Sequence, residues 1–407
     1  MPGAVERRHC EIDEKLLEQL SSYDHEKAYR RLSRKRLIGT TQWFLDHSDF
    51  KAWFTEKCFP SLWCSGKIGS GKTMIATAVV ETAKYRNSEA PAPTVFFFCE
   101  NEQHGALHAS YILSSFVKQL CEFQHATSKP CPGDLIRSRE ITKFFGPKRI
   151  EPDFEDIQDI FISSFYQVPN TTYILDGLDT LDKEDSERLL RVFQSLFCGP
   201  RSPHGSRILL LSREQIPGFI DIATAMPAIR QISTSCNVMR DIEVYIETRI
   251  TDKMMLKRLT DDRQLLDEIK RILLLESSGM FLWVYLQLEI LWDTCVTDAE
   301  IQSALRDLPK DLEETYRRVV KRINFQDSRA LKVLKWVSFA ARPLHIEELK
   351  EAVAFGVQDT LWDAGKIPRA EFVIGCCVNL VVVDPTDNCV RFAHPSVKQY
   401  LEKDEKS

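Results

Sequence analysis

The spacing of hydrophobic and polar residues changes along the 407-residue chain, and each change marks a candidate domain. Up to about residue 55, apolar and aromatic residues recur at helical spacing. From Ser61, short apolar runs alternate with helical patterns, as in α/β proteins. After Pro217 we expect helices and no strand until a hairpin near the end. The predicted domains are a helical lead-in at 1–55, an α/β core at 56–216, a helical domain at 217–308 and a final domain at 309–407.

The α/β core is predicted from four apolar runs that are too short for helices. Strands that alternate with helices imply a parallel sheet covered on both faces. Residues 124–152 are rich in proline, glycine and charge, so we expect a surface loop there. The predicted strands are SLWCS (61–65), TVFFFC (94–99), TTYILD (171–176) and RILLLS (207–212), with helices at 73–84, 108–123, 153–168 and 183–197.

The sequence pattern of the second half of the chain predicts a series of helices followed by a hairpin. Strand-like residues at 379–384 and 389–393 flank the turn sequence PTDN, and helices followed by such a hairpin resemble a winged helix. We therefore expect an all-α helical domain followed by a winged-helix domain. The predicted helices are 241–255, 262–275, 279–292 and 298–308, then 312–323, 329–340, 346–355, 370–378 and 396–401.

GKIGSGKT (66–73) fits the phosphate-binding pattern G-x-x-x-x-G-K-[ST] and lies between a predicted strand and a predicted helix. Glycines let backbone N–H groups converge on phosphate oxygens, and the helix directs its positive end at the same anion. Lys72 would reach the β- and γ-phosphates, and the Thr73 hydroxyl would bind Mg²⁺. The predicted nucleotide-binding residues are Gly66, Lys67, Ile68, Gly69, Ser70, Gly71, Lys72 and Thr73. The fold class is therefore a P-loop NTPase with a parallel sheet.

Two further strands end in residues suited to the same ligand. YILDGLD (173–179) follows the P-loop by about a hundred residues, and Asp176 at the end of its apolar run is a candidate Mg²⁺ ligand with Thr73. Asp179 could polarise an attacking water. If the strand at 207–212 lies beside the P-loop strand, Arg213 would reach the γ-phosphate and sense its presence.

Composition and charge narrow the possible classes of protein further. The formal net charge of −5 does not favour wholesale attraction to nucleic acid or to an anionic membrane. No signal peptide is visible, and the longest uncharged apolar run, 372–383, is too short to span a bilayer. The twelve cysteines form no CxxC pair, so we expect reduced, buried thiols in a cytoplasmic protein.

Several long segments resemble the NACHT-type (STAND) signal-transduction NTPases of fungi, whose N-terminal half is described as nephrocystin-like. These proteins are related to heterokaryon-incompatibility proteins and to innate-immunity receptors. The resemblance covers nearly the whole chain. It is carried by LIGTTQWFLDHSDFKAWF (37–54), LWCSGKIGSGKT (62–73), ILDGLDTL (174–181), SSGMFLWVYLQLEIL (277–291), LPKDLEETYRRV (308–319) and VRFAHPSVKQYL (390–401).

The resemblance implies a molecular switch. ADP would hold the domains together, and exchange for ATP would open them and permit self-association or binding to protein partners. It also implies that a histidine of the winged helix, which corresponds to His394, contacts the ADP β-phosphate. From the residues alone, His394 could equally cap the last helix, ahead of Pro395.

The chain departs from this family in two respects. Relatives usually carry an acidic residue directly after the second aspartate of ILDGLD, and here that position is Thr180, which cannot act as a base near neutral pH. Slow or absent hydrolysis is therefore expected, while binding is unaffected. Relatives also often carry C-terminal repeats and an N-terminal effector domain, and neither is visible in this sequence.

Two other classes of protein remain as alternatives. A metabolic P-loop kinase would need converging Arg and Asp residues on a lid, and the region after 217 offers ordinary amphipathic helices. A winged-helix regulator would read DNA with polar side chains, whereas 370–378 has almost none beyond Arg369 at its start. The guanine signature N-K-x-D does not occur, which favours ATP and ADP over GTP.

Overall fold

The computed structural model describes residues 15–55, 59–87, 92–99, 107–127, 139–145, 151–198, 205–214, 222–323, 328–356 and 359–404. These residues form two compact units. The first unit holds the described residues up to Thr234 except Lys67–Gly71. The second holds Lys67–Gly71 together with the described residues from Ser235 onward.

A five-stranded parallel sheet is the centre of the first unit. The strands are β1 (Ser61–Ser65), β2 (Thr94–Phe98), β3 (Thr172–Asp176), β4 (Arg207–Ser212) and β5 (Arg230–Ser233). Their spatial order is β2-β3-β4-β1-β5, which places the P-loop strand β1 between β4 and β5. Every residue of β1, β3 and β4 is buried, which explains their nearly continuous apolar sequences. The predicted parallel sheet is confirmed.

The helices that cover this sheet begin where the sequence provides a cap. Asp153 accepts a hydrogen bond from the backbone of Asp156, and the Asp156 side chain bonds back, so this capping box starts the helix Phe154–Gln167. Asp182 caps the next helix, and its side chain accepts a hydrogen bond from the backbone N of Asp185. The helices of the first unit are His25–Ser33, Gln42–Asp46, Ser48–Phe54, Lys72–Asn87, Ala109–Thr127, Arg139–Phe145, Phe154–Gln167, Lys183–Phe197 and Ile222–Ala225.

The outer edge of β2 is covered by side chains. Gln119 accepts a hydrogen bond from the backbone N of Phe96 and donates one to its carbonyl oxygen, as a neighbouring strand would. The hydroxyl of Tyr23 accepts from the backbone N of Phe98. Because these side chains occupy the backbone groups of the edge, β2 offers little to another strand.

Two predictions about elements of the first unit were wrong. No strand was expected after Pro217, yet β5 pairs with β1 and extends the unit to Thr234, beyond the boundary predicted at 216. The sequence of β5 gave a weak signal because only Ile232 is buried in this polar edge strand. The expected loop 124–152 contains the helix Arg139–Phe145, and its residues 128–138 and 146–150 lie outside the described part of the chain.

The second unit has two apolar clusters. One surrounds Trp283 and Leu288 and joins the helices between residues 239 and 306. The other surrounds Tyr316 and Leu349 and includes the hairpin. The helices are Met239–Leu256, Arg263–Glu276, Phe281–Thr294, Asp298–Arg306, Leu312–Arg322, Ser328–Phe339, Ile346–Ala354, Ala370–Gly375 and Pro395–Asp404.

A small antiparallel sheet completes the second unit. The predicted hairpin is confirmed as β7 (Val381–Val383) and β8 (Cys389–Phe392), with Asn388 at positive φ in the turn. A two-residue strand β6 (Leu344–His345), which was not predicted, pairs with the other side of β8. Helices followed by this three-stranded sheet give the expected winged-helix arrangement. None of the helices in the described ranges is long and apolar enough to cross a membrane.

Candidate nucleotide-binding site

The phosphate-binding loop begins at the carboxyl end of β1, where the sheet anchors it. The backbone N of Gly66 donates to the carbonyl oxygen of Ser212 at 3.2 Å, so the loop leaves the sheet beside β4. Lys72 is the first residue of the following helix, and its Nζ donates to the carbonyl oxygen of Gly66 at 2.8 Å. Burial lowers the pKa of the Lys72 amine, and the charges of Asp179 and Asp176 oppose that shift.

The central residues of the loop pack within the second unit. Gly69 has φ +70°, and a Cβ there would lie 2.5 Å from the Cβ of Leu282. Ile68 packs against the apolar cluster that includes Leu282, and the Nζ of Lys67 donates to the carbonyl oxygen of Ser278 at 3.4 Å. The sequence predicted Gly69 as a binding residue because backbone N–H groups must approach the phosphate closely. The structure adds a second requirement, because any side chain at this position would displace the start of the helix Phe281–Thr294.

Ser70 is the polar group of the loop that best indicates a ligand. Its side chain is buried, and its Oγ has no hydrogen-bond partner among the described residues. A buried hydroxyl without a partner is unfavourable unless a ligand or water satisfies it. Gly71 has φ +89°, and a Cβ there would lie 3.2 Å from the ring of Phe281, so this part of the loop also requires glycine. These features fit a nucleotide phosphate.

The two predicted metal ligands meet at the end of β3. The Thr73 hydroxyl donates to Oδ2 of Asp176 at 2.7 Å. Burial raises the pKa of Asp176 to about 6, although the Thr73 hydrogen bond and the Lys72 charge both lower it. Two hard oxygen donors side by side fit Mg²⁺. This ion takes few protein ligands and fills the rest of its coordination shell with water and phosphate oxygens.

Asp179 and Arg213 are also brought together, as an ion pair. The Nε of Arg213 lies 2.6 Å from Oδ2 of Asp179, and the backbone N of Arg213 donates to Oδ1 at 3.2 Å. The expected pairing of β4 beside β1 is confirmed, so Arg213 does follow the strand next to the P-loop. The sequence did not predict that the sensor candidate and the water-polarising candidate would bind each other.

Thr180 lies in a short turn that keeps its side chain occupied. Its Oγ1 donates to the carbonyl oxygen of Gly177 at 2.7 Å. Gly177 has φ +85° and starts this turn directly after Asp176. A hydroxyl bonded within its own turn offers no acidic group at the position where the family resemblance predicts a carboxylate.

A polar network beside the loop was missed at the sequence level. Oε1 of Glu214 accepts from the hydroxyls of Ser65 at 3.2 Å and Ser233 at 2.5 Å. Gln231 donates to Ser65 Oγ at 2.7 Å, so the ends of β1 and β5 are joined to the turn after β4. The acidic residue directly after Ser212 and Arg213 was the available signal, but its partners lie far away in sequence.

His394 belongs to the second unit, where it caps the last helix. Its Nδ1 accepts from the backbone N of Ser396 at 3.1 Å and lies 2.8 Å from the Ser396 hydroxyl. This contact agrees with the capping role considered for this residue. A role of His394 at the phosphate stays a prediction.

Two family descriptions match parts of the chain. Residues 39–213 match the N-terminal family of Nephrocystin 3, and residues 316–407 match the winged-helix domain of GPI inositol-deacylase. The first match includes every predicted site residue except His394, which lies in the second.

Two fungal proteins are similar in sequence. The vegetative incompatibility protein HET-E-1 of Podospora anserina is 23% identical over 366 residues, covering 88% of this chain and 26% of that protein. The azaphilone pigments biosynthesis cluster protein L of Monascus ruber is 32% identical over 122 residues, covering 28% of this chain and 26% of that protein. In each alignment the chain spans about a quarter of the length of its relative.

The similarity to solved structures is weaker. A Walker-type ATPase of Pyrococcus abyssi aligns with a TM-score of 0.35 and 12% identity, covering 88% of this chain and 95% of its own. The Drosophila ORC bound to DNA aligns with a TM-score of 0.38 and 12% identity, covering 95% of this chain and 90% of its own. At these TM-scores neither likeness carries an argument about function. The family matches and the fungal relatives support the resemblance of this chain to the NACHT-type STAND P-loop NTPases.

Proposed function

We propose that the chain is a signalling switch that binds ADP or ATP with Mg²⁺ and whose output depends on which nucleotide is held. Gly66–Thr73 would hold the phosphates, with Thr73 and Asp176 as the magnesium ligands. The observation that supports this most strongly is the position of Lys72, because a partly buried cation lies beside Thr73 and Asp176 at the end of the P-loop strand.

Arg213 is proposed as the sensor of the γ-phosphate, and Asp179 as the group that orients water. The support is their place at the carboxyl ends of β4 and β3, the edge at which ligands bind in sheets of this type. Arg213 directly follows β4, the strand beside the P-loop strand, and Asp179 lies in the short turn after β3. His394 is proposed as the contact of the winged-helix region with the β-phosphate, supported by the family resemblance.

Hydrolysis is proposed to be slow or absent. Thr180 supplies no carboxylate, and its hydroxyl is bonded within its own turn. Nucleotide occupancy rather than turnover would then determine the state of the protein.

The cellular role is proposed from the similarity to the incompatibility protein HET-E-1. We infer a part in fungal self/non-self recognition or stress signalling, with self-association or protein partners in the ATP state. A cytoplasmic location is supported by buried cysteine thiols such as those of Cys64 and Cys295, which suit a reducing compartment.

Dissociation of a fluorescent ADP analogue from the purified chain tests the switch. If His394 contacts the β-phosphate, His394→Ala should speed ADP dissociation about tenfold, a loss typical of one charge-assisted hydrogen bond. ATP in place of ADP should increase the hydrodynamic size of the wild type.

His345 offers a matched control, since its Nδ1 accepts from the backbone N of Glu347 and caps the helix Ile346–Ala354. His345→Ala removes a similar cap and should leave ADP dissociation unchanged. Equal dissociation rates for wild type and His394→Ala would remove His394 from the proposal. Equal acceleration by both variants would assign the effect to the loss of a helix cap.

A further inference from the structure

The ion pair between Asp179 and Arg213 occupies both residues that the proposed function assigns to the terminal phosphate. Each carboxylate oxygen of Asp179 accepts one bond from Arg213, one from Nε and one from the backbone N. The side chains are 12% and 25% exposed, so the pair is only partly shielded from solvent. In this arrangement the carboxylate does not act as a base, and the guanidinium is already neutralised.

The backbone that carries Arg213 is fixed on both sides. The Ser212 hydroxyl donates to the carbonyl oxygen of Arg213 at 3.0 Å and accepts from Nε1 of Trp63 at 2.9 Å. On the other side, Glu214 is anchored by the hydroxyls of Ser65 and Ser233. Only the side chain of Arg213 can therefore change partner without moving the strand ends.

We propose that Asp179 and the γ-phosphate of a bound nucleoside triphosphate compete for Arg213. The inference rests on the proposed function and adds an exchange step to it. The triphosphate brings more negative charge than one carboxylate, so the guanidinium turns towards it and releases Oδ2 of Asp179, while Oδ1 keeps its bond to the backbone N of Arg213. A diphosphate lacks the competing group and leaves the pair intact. The pair thus makes the orientation of water by Asp179 conditional on the triphosphate.

Glu214 acts in this exchange as a positioning residue. Its carboxylate accepts from Ser65 and Ser233 rather than from either partner of the pair, and it holds the turn from which Arg213 extends. The exchange therefore changes one side chain and one carboxylate, and the sheet stays as it is.

The test measures the dissociation constants of the nucleoside diphosphate and of a non-hydrolysable triphosphate analogue by calorimetry at fixed Mg²⁺. Asp179→Asn removes the competitor for Arg213, so it should raise the triphosphate-to-diphosphate affinity ratio about fivefold to tenfold. Arg213→Gln should lower this ratio. In the Arg213→Gln background, adding Asp179→Asn should not change the affinity ratio further, because the guanidinium for which Asp179 competes is absent.

Asp49→Asn is the matched control, since Asp49 pairs with Arg230 in the same unit and at a distance of 2.8 Å. It removes an equal charge and should leave the affinity ratio unchanged. If Asp179→Asn raises the ratio equally with and without Arg213, loss of charge alone explains the effect and the exchange is wrong. A ratio that Asp179→Asn leaves at the wild-type value also overturns it. Equal weakening of both nucleotides by Arg213→Gln would contradict it independently.

The failure of the proposed function would look different. A wild type that binds neither nucleotide would contradict nucleotide binding itself. A wild type that binds both, with an affinity ratio that Asp179→Asn does not change, would retain nucleotide binding and reject only the exchange.

Discussion

Two regions of the molecule hold an arginine against aspartates, and they differ in how completely the arginine is enclosed. At the tip of the β7–β8 hairpin, Nη1 and Nη2 of Arg391 bond the two carboxylate oxygens of Asp387 at 2.7 and 2.8 Å, with Asp384 close by. Arg391 is 8% exposed. At the edge of the five-stranded sheet, Arg213 makes one side-chain bond to a carboxylate oxygen of Asp179 and is 25% exposed.

The difference follows from the chain around each pair. Asp384 and Asp387 belong to the turn that they stabilise, and each also accepts a backbone N–H within that turn. Asp179 and Arg213 lie on different strand ends beside Lys72 and Thr73, where an anion and a metal would bind. The same two residue types therefore fix a turn in one region and hold an exchangeable contact in the other.

Arg391→Ala should give the largest change in stability. It leaves Asp384 buried without its nearby cation, and the loss of one partner from a buried pair costs about 3 kcal/mol. Urea denaturation would show this as a lower free energy of unfolding. Nucleotide affinity, measured where the variant is still folded, should be unchanged. A loss below about 1 kcal/mol would mean that the hairpin pair is as weak as a surface pair.

The apparent affinity for Mg²⁺ should depend on pH through Asp176, whose pKa is raised to about 6. Below that pH the carboxyl holds a proton that Mg²⁺ must displace, so affinity in the presence of nucleotide should fall about tenfold per pH unit. Above pH 7 it should be flat. Fluorescence titration with Mg²⁺ at several pH values measures this.

Asp176→Asn provides the control for that titration. It should bind Mg²⁺ weakly at every pH and remove the dependence near pH 6. Without metal, the folded chain binds the proton of Asp176 more tightly than the unfolded chain does, so the free energy of unfolding should fall as pH rises through 6. A pH-independent Mg²⁺ affinity in the wild type would contradict the assignment of Asp176 as the ligand.

Arg213→Gln should cost less stability than Arg391→Ala. The Asp179–Arg213 pair is partly exposed. Its side-chain bonds are one to the carboxylate and one, at 3.5 Å, from Nη2 to the carbonyl oxygen of Asp179, so its loss should lower the free energy of unfolding by about 1 kcal/mol. The free energies of unfolding of this variant and of Arg391→Ala, measured under the same conditions, compare the two arginines directly. Equal losses in the two variants would mean that Arg213 is as structural as Arg391.

Ser70→Ala should give the smallest change in stability. The Ser70 hydroxyl has no partner among the described residues, so its removal should change the free energy of unfolding by less than about 0.5 kcal/mol or raise it. Nucleotide affinity should fall if the hydroxyl meets the ligand. A clear loss of stability would show instead that Ser70 serves the loop itself.

Much of the first unit could be predicted because its signals are local. RILLLS (207–212) and the helix 183–197 were predicted with the bounds that the structure has. An apolar run and a capped amphipathic helix carry their pattern in consecutive residues. By contrast, β5 carries one buried residue and depends on its pairing with β1, so its strand signal in the sequence is weak.

The site was predictable in its residues but not in its contacts. Motif spacing located Lys72, Thr73 and Asp176, and the structure brings the last two within 2.7 Å. The Asp179–Arg213 pair joins residues 34 positions apart, and neither motif shows which partner an arginine will choose. The contact of Gly69 with Leu282 spans still more of the chain and was not visible for the same reason.

The central claim is that the loop Gly66–Thr73 holds a nucleotide, and the most direct test is the nucleotide released when the purified chain is denatured. We expect about one adenine nucleotide per folded wild-type chain, since the proposed switch would retain ADP. Lys72→Ala, folded to the same extent by circular dichroism, should release almost none. A wild type that releases no nucleotide and binds none on addition, or a Lys72→Ala variant that retains as much as the wild type, would contradict the claim.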